Sequence, residues 1–381
     1  MLLFAMWALA GVALAVDVRA AELKTKARNV IVMDAESGGV FFERKADDLI
    51  PPASMSKVVT LLYVFDLIKG GKLSEDDVFE VSVNAWKRGG APSGGSTMFA
   101  KPHERIKVSD LIRAVAVISA NDAAIALAEG IAGSEKAFAE RLNEFARRKL
   151  GLRRSHFTNA TGLPHPEHRM TARELALAAR HLIREFPEYY KIYAQREFTW
   201  NNIKQRNRNP LLGKYPGADG VKTGYTKAAG YSLVASAKRD GRRLIAVFTG
   251  LASKAERARE ARTILDWGFS RFRPIILFKA GERVTKVRVW GGTKDHVPVM
   301  TQADVVVRLS DMERKRAKLV ARVKAPLVAP VSAGTPVGRL LVRVNGKTVA
   351  QYPLYTGAAV AEDRSMWGRA LDTLKLWALG G

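Results

Sequence analysis

The 381-residue chain contains no cysteine. That excludes disulfides, a cysteine nucleophile, iron–sulfur ligation and Cys-based zinc sites. Histidine is scarce, with six in all. His103, His156, His165, His168, His181 and His296 form no His-Glu-x-x-His pair and show no metal-ligand spacing. A zinc peptidase is disfavoured, and no metal or cofactor is assigned. Acidic residues are outnumbered, 37 against 62 Lys+Arg, for a formal net charge of +25. Such a balance points to an anionic partner: nucleic acid, an anionic lipid surface or an acidic polymer. Long apolar runs are also missing. Residues 2–16 are the best candidate, and that run stops at Asp17, too short for a comfortable membrane span. With Val18-Arg19-Ala20 behind it, it reads as a secretory signal over residues 1–20, although no Lys or Arg precedes the apolar stretch. A buried N-terminal helix is the alternative. Export weakens the nucleic-acid reading and favours the cell envelope.

The remaining composition, 47% hydrophobic and 26% charged, is that of a folded globular protein. Asn29–Met33 and Val40–Arg44 read as strands around a Ser37-Gly38-Gly39 turn. After Pro51-Pro52, residues from about Lys57 to Ile68 are apolar nearly all round and end at Gly70-Gly71, which predicts a central buried helix. Helical patterns follow at Ser109–Ile118, Ala123–Ile131, Ser134–Lys149 and Thr171–Glu185. Strands are expected at Phe198–Ile203, Gly220–Thr226, Tyr231–Ala237 and Arg243–Gly250, then a helix over Ser253–Phe269. Strands flanking a helical block, with a terminal antiparallel set, indicate an α+β or three-layer α/β domain over residues 21–275. Beyond it, short β-rich runs and the Asn345-Gly346 turn indicate a small all-β, sandwich-like domain over residues 276–358, with no helical periodicity until the end. There, in residues 359–381, Met366, Trp367, Ala370, Leu371, Leu374 and Trp377 fall on one stripe, which predicts an amphipathic helix lying on a membrane surface. Docking of that helix on its own domain is the alternative.

Three short motifs occur in order. Ser54-Met55-Ser56-Lys57 opens the central helix, Ser119-Ala120-Asn121 joins two helices, and Lys222-Thr223-Gly224 lies on a strand near a sheet edge. Each alone is weak: Ser54 can be a helix N-cap and Lys222-Thr223-Gly224 a strand entering a turn. Jointly they make chemical sense. Ser54 and Lys57, three apart at a helix start, share a face. Burial and a second cation such as Lys222 would lower the Lys57 pKa, so that its neutral amine takes the Ser54 proton. Ser119 can relay a proton to a leaving amine, and Asn121 can orient substrate or Lys57. Lys222 and the Thr223 hydroxyl can hold a carboxylate, and the strand edge after Gly224 can pair with a substrate backbone.

With Gly94-Gly95-Ser96-Thr97-Met98-Phe99, His156-Phe157, Asn207-Arg208-Asn209, Asp219-Gly220-Val221-Lys222 and Trp267-Gly268-Phe269, this set resembles the penicillin-recognising serine peptidases, and among them the D-alanyl-D-alanine carboxypeptidases of the penicillin-binding protein 5 type. The resemblance covers about residues 25–275 and implies a β-lactamase/transpeptidase-like catalytic domain. It also implies that Ser54 is acylated, that Lys57 is its base, and that Ser119 and Asn121 complete the catalytic group. Lys222, Thr223 and Arg257 would bind the terminal carboxylate with support from Arg208, and the N–H groups of Ser54 and Tyr225 would form the oxyanion hole. Tyr225 stands where members of the family often have histidine. The implied substrate is the peptidoglycan stem pentapeptide, the implied covalent inhibitors are β-lactams, and the implied location is the periplasmic face of the cytoplasmic membrane, with no nucleic-acid partner. A class A β-lactamase would need a Glu-x-x-Leu-Asn element. The nearest string, Glu140-Arg141-Leu142-Asn143, is one residue short and reads as a helix face. An endopeptidase acting on cross-links stays open. A non-catalytic basic binding protein is the reading from another class.

Overall fold

The structure is a computed structural model that describes residues 23–363 apart from 272 and 310. The expected signal segment and the terminal stripe from 364 lie outside the described residues. The chain divides after Phe269 into two compact units.

The first unit is built on a five-stranded antiparallel sheet. Its strands are β1 (Val30–Asp34), β2 (Val40–Arg44), β3 (Ala218–Thr226), β4 (Gly230–Arg239) and β5 (Arg242–Leu251), in the spatial order β2-β1-β5-β4-β3. Side chains alternate across it. Ile31, Met33, Ile245 and Val247 face the main helical core. Val32 and Leu244 lie on the other face, against Gly268 of the closing helix α6 (Lys254–Phe269), where a Cβ would come within 2.7 Å of Leu244. That close approach explains the glycine between Trp267 and Phe269.

The core helices are α1 (Lys57–Lys69), α2 (Val108–Val117), α3 (Asn121–Ala132), α4 (Glu135–Arg148) and α5 (Ala172–Glu185). Burial of α1 from Lys57 through Leu62, together with Val64 and Phe65, accounts for its lack of amphipathic period. Ser134 and Thr171 cap α4 and α5 by accepting from Ala137 N and Glu174 N. The strand expected over Phe198–Ile203 is instead a hairpin, Glu197–Trp200 with Ile203–Arg206. Asn201 and Asn202, at φ 46° and 61°, form its two-residue turn. A short helix, Val83–Gly89, stands where no helix was expected, with Ser82 accepting from Ala85 N.

The second unit holds a six-stranded sheet in the order Ala317–Val323, Pro336–Val344, Lys347–Thr356, His296–Met300, Arg283–Trp290, Leu327–Val328, together with the pair Arg273–Phe278 and Val305–Leu309. Asn345 and Gly346, at φ 50° and 79°, make the expected two-residue turn. The expectation that helix is absent here fails at Asp311–Arg316, whose six residues are too few to show a period. Val360 and Glu362 form bridges to Val331 and Gly292. The chain therefore stays extended through these residues, and a helix beginning at 359 is not what is found.

Candidate active site

Ser54 lies in a 3-10 turn, Ala53–Ser56, that runs directly into α1. The turn is held tightly. Ala53 has φ 50°. The loop Ala160–Gly162 presses on it so closely that a Cβ at Gly162 would stand 2.0 Å from the Ala53 carbonyl oxygen, and Gly162 itself has φ 77°. Asn159 Oδ1 knots that loop by accepting from Thr161 N, Thr161 Oγ1 and Gly162 N. On the other side is β3, where a Cβ at Gly224 would lie 3.0 Å from Met55 Cγ and 3.1 Å from Pro52 O. Glycine at 224 thus lets the edge strand touch the turn that bears Ser54.

Lys57 is 0% exposed. Its Nζ lies 3.1 Å from Ser54 Oγ, 2.6 Å from Asn121 Oδ1 and 2.6 Å from the Thr161 carbonyl oxygen. Burial, reinforced by the charge of Arg208, lowers its pKa from 10.5 to about 7. A neutral amine has two protons and one lone pair. The two carbonyl acceptors take the protons, which leaves the lone pair for Ser54. Asn121 is the first residue of α3 and donates its backbone N–H to Ser96 O. Asp122 beside it accepts from Thr97 Oγ1, Met98 N and Ala123 N. These bonds tie the segment around residues 96–100 to the start of α3. Gly95 approaches the Asn121 amide so closely that a Cβ on it would lie 3.0 Å from Nδ2. The glycine-rich stretch Gly89–Ser96 is therefore a wall of the site. Ser119 links α2 to α3 in the left-handed region, at φ 68°, and its buried Oγ has no hydrogen-bond partner among the described residues. A strained serine with an unused hydroxyl at such a junction is a mark of function.

The third group is cationic. β3 is the sheet's edge strand, so among the described residues no strand pairs with its outer side. Its start is pinned by Asp219, which accepts from Arg243 at 2.6 Å on both oxygens. Asn209 Nδ2 donates to Gly220 O, and Asn207 Oδ1 accepts from Asn209 N, which sets Arg208 alongside. Lys222 is 3% exposed and, among the described residues, donates only to Thr223 O, at 3.3 Å. Burial first, then the charges of Lys57, Arg208 and Arg257, hold its pKa well below the ordinary value. Arg257, 7% exposed on α6, lies 5.7 Å from the Tyr231 ring centroid, and burial lowers its pKa to about 10. Arg208 is also lowered by desolvation. Among the described residues no carboxylate pairs with Lys222, Arg208 or Arg257. Lys222 and Arg257 are buried and Arg208 stands exposed beside them; buried cations that repel one another are costly, and an incoming carboxylate relieves that cost. Thr223 is buried beside them, whereas Tyr225 is 55% exposed and stacks on Tyr231 at 4.3 Å.

Direct hydrogen bonds thus join Ser54, Lys57 and Asn121. Lys222, Arg208 and Arg257 are joined to that group by charge, and Gly224 by backbone contact. Sequence reasoning missed the Thr161 carbonyl, Gly162 and Asp122. The Asn159-Ala160-Thr161-Gly162 string signals a tight turn, but nothing local tells that the turn meets Lys57. Asn143, in the string weighed as a β-lactamase element, bonds the Phe157 backbone through both its amide atoms. It is a packing residue. No group of three His, Asp or Glu residues able to hold a metal occurs among the described residues.

Comparison with known proteins bears on this geometry. The family described as D-alanyl-D-alanine carboxypeptidase matches residues 16–253, and the one described as penicillin-binding protein 5, C-terminal domain, matches residues 272–362. The chain is 38% identical to the D-alanyl-D-alanine carboxypeptidase DacC of Escherichia coli, over 91% of this chain and 87% of that protein. It is 36% identical to DacA of the same organism, over 92% and 87%. Among solved structures, penicillin-binding protein 5 of Haemophilus influenzae superposes with a TM-score of 0.66 at 34% identity, covering 90% of this chain and 99% of that one. Penicillin-binding protein D2 of Listeria monocytogenes, in its ampicillin-bound form, gives 0.57 at 28% identity, covering 65% and 99%.

Proposed function

The chain belongs to the D-alanyl-D-alanine carboxypeptidase family, the penicillin-binding serine peptidases of cell-wall remodelling, and from that premise we propose how its own residues act on the terminal D-Ala-D-Ala of a peptidoglycan stem pentapeptide. The free carboxylate of the substrate pairs with Lys222, Arg257 and Arg208, with the Thr223 hydroxyl beside them. Its backbone adds to the free edge of β3. Lys57 takes the proton from Ser54 Oγ, which attacks the carbonyl carbon of the penultimate D-Ala. The N–H groups of Ser54 and Tyr225 stabilise the oxyanion. Ser119 relays the proton that Lys57 has taken to the nitrogen of the departing D-Ala as the peptide bond breaks, which leaves Lys57 neutral again. Water then cleaves the acyl-Ser54 ester, again with Lys57 as base, and β-lactams acylate the same hydroxyl.

The observation that carries this reading is the fully buried Lys57 amine, 3.1 Å from Ser54 Oγ and beside cations that have no carboxylate partner among the described residues. Fluorescent penicillin should label one site, mapped to the peptide containing Ser54, and labelling should vanish in Ser54→Ala. An adduct that persists in that variant refutes the assignment. D-Ala release should also fall roughly ten- to a hundred-fold when the terminal carboxylate is amidated, the scale of one charge-assisted contact. Equal turnover of acid and amide would favour an endopeptidase.

The reading extends to location. The protein is exported, and the stripe within 364–379 lies on the anionic outer face of the cytoplasmic membrane; among the described residues no helix is long and apolar enough to cross one. Because Val360 and Glu362 are paired within the second unit, the test is truncation after Asp363. It should abolish cosedimentation with anionic vesicles and leave penicillin labelling intact. Equal cosedimentation of both forms would mean that the segment docks on its own protein.

A further inference from the structure

The second unit carries a feature that the reaction at Ser54 does not use. Strands Ala317–Val323 and Pro336–Val344 pair in a register that sets Lys318 opposite Arg343 and Arg322 opposite Arg339, with Val320 opposite Leu341 between them. Leu319, Ala321 and Val323 turn inward to the core, so by strand alternation the four cations share the outer face. Lys318, Arg322 and Arg339 are exposed and Arg343 is half-buried. Like charges directly opposite one another destabilise a sheet. None of the four has a carboxylate partner among the described residues. Arg339 donates to Gln351 Oε1 at 3.2 Å and Arg343 to Gly346 O at 3.1 Å, both uncharged acceptors. An open depression of about 500 Å³ adjoins them, lined by Arg322, Leu341, Thr348, Val349, Ala350 and Gln351.

We propose that this outer face is a second binding site, for the carboxylate-bearing stem peptides of polymeric peptidoglycan. The proposal rests on the reading that the chain works on that polymer. Lys318 and Arg322 are about 13 Å apart along their strand and about 5 Å from their cross-strand partners. The two opposed pairs can therefore meet carboxylates of separate stems, and the adjoining depression, where Thr348 and Gln351 stand beside Leu341 and Val349, takes an uncharged part of the peptide. A lipid surface fits less well. Membrane-contact faces combine cations with exposed apolar side chains, and here Leu341 is buried and Val320 half-buried. Among the described residues, the exposed large apolar side chains of this unit, Ile276, Trp290, Val306 and Val328, are on other strands. The face would hold the enzyme on its polymer between turnovers while the Ser54 site takes individual stem ends.

The test uses the full chain, acylated with penicillin so that the Ser54 site is closed; acylation itself checks the functional reading separately. Cosedimentation with purified, protein-free sacculi is compared between wild type and K318Q/R322Q/R339Q/R343Q. Binding should weaken about tenfold or more, the order expected for four exposed ion pairs. It should fall with added salt, and it should be lost for wild type on sacculi whose carboxylates have been amidated. The melting temperature should not drop, because opposed like charges are being removed. If the quadruple variant misfolds, K318Q/R322Q alone, whose side chains bond to none of the described residues, should still weaken binding. Hydrolysis of a soluble pentapeptide should be unchanged in either variant. Equal cosedimentation of variant and wild type overturns the proposal. So does undiminished binding to amidated sacculi, and so does a loss confined to anionic vesicles, which would assign the face to lipid.

Discussion

The lowered pKa of Lys57 can be read directly from the pH dependence of acylation. The attacking species requires a neutral amine, so the second-order rate constant with penicillin follows the deprotonated fraction of Lys57. With a pKa of about 7, that fraction rises roughly thirtyfold between about pH 5.5 and 8.5 and then levels off, whereas a lysine at its ordinary value would climb about tenfold per unit, near a thousandfold over the same window, without levelling. The sign follows from the cause. Burial and the Arg208 charge both disfavour the ammonium, so Arg208→Gln removes one of the two depressing influences and must move the midpoint to higher pH. The assay is rapid-quench labelling with fluorescent penicillin, with rates taken across the window for wild type and Arg208→Gln. The midpoint, not the amplitude, is the readout, because Arg208 is also assigned to the carboxylate. A rate that still climbs tenfold per unit beyond about pH 8.5 would refute the reasoning, and a midpoint moved downward by Arg208→Gln would refute its electrostatic half.

Two further outcomes are expected. Gly162→Ala puts a Cβ 2.0 Å from the Ala53 carbonyl oxygen at a backbone φ of 77°; the turn bearing Ser54 must shift, and since displacements near 1 Å at a reacting group cost about a hundredfold, acylation should fall by that order while circular dichroism stays near wild type, an unchanged rate ruling the clamp out. The β-lactam acyl-enzyme should be long-lived, because Asp122 and Glu135, the carboxylates whose charge reaches Lys57, already accept from Thr97, Met98 and Ala123 and from Arg88 and Ala160. Steady rapid hydrolysis of a chromogenic cephalosporin would show that one of them is free to activate water.

Much of this site was legible because its parts are local. Ser54 and Lys57 are three residues apart at a helix start, Ser119 and Asn121 span a helix junction, and Lys222 through Gly224 run along one strand. Spacing alone brings Ser54 and Lys57 onto one side of a helix start, and adjacency in the chain keeps the members of the other two sets together. The contacts that assemble the sets are not local. Lys57 meets the Thr161 carbonyl, 104 residues away, and any residue can supply a backbone oxygen, so sequence holds no mark of it. Gly162 and Gly224 are required by what they touch, not by their neighbours in the chain. The hairpin at Asn201-Asn202 was hidden because its strands are only four residues each, and the turn uses asparagine in left-handed conformations where glycine would have been the louder signal. The helices Val83–Gly89 and Asp311–Arg316 are shorter than two full turns, too short for periodicity to register.

In the proposed mechanism the cations that receive the substrate also tune the base, and these two roles oppose each other during turnover. In the free enzyme the Arg208 charge pushes down the pKa of both Lys57 and Lys222. When a carboxylate arrives and pairs with Lys222, Arg208 and Arg257, its negative charge offsets that push, so Lys57 becomes a stronger base in the complex than in the free enzyme. A stronger base takes the Ser54 proton more readily but is neutral at fewer pH values. The pH profile of kcat/KM reports the free enzyme and that of kcat the complex. With a pentapeptide substrate, the rising limb of kcat should therefore lie at higher pH than that of kcat/KM. The displacement should shrink for a substrate amidated at its terminus, which brings no charge to the cluster. Coincident limbs for acid and amide would mean that the carboxylate binds too far from Lys57 to be felt, and the carboxylate would then have to be assigned to a place other than Lys222, Arg208 and Arg257.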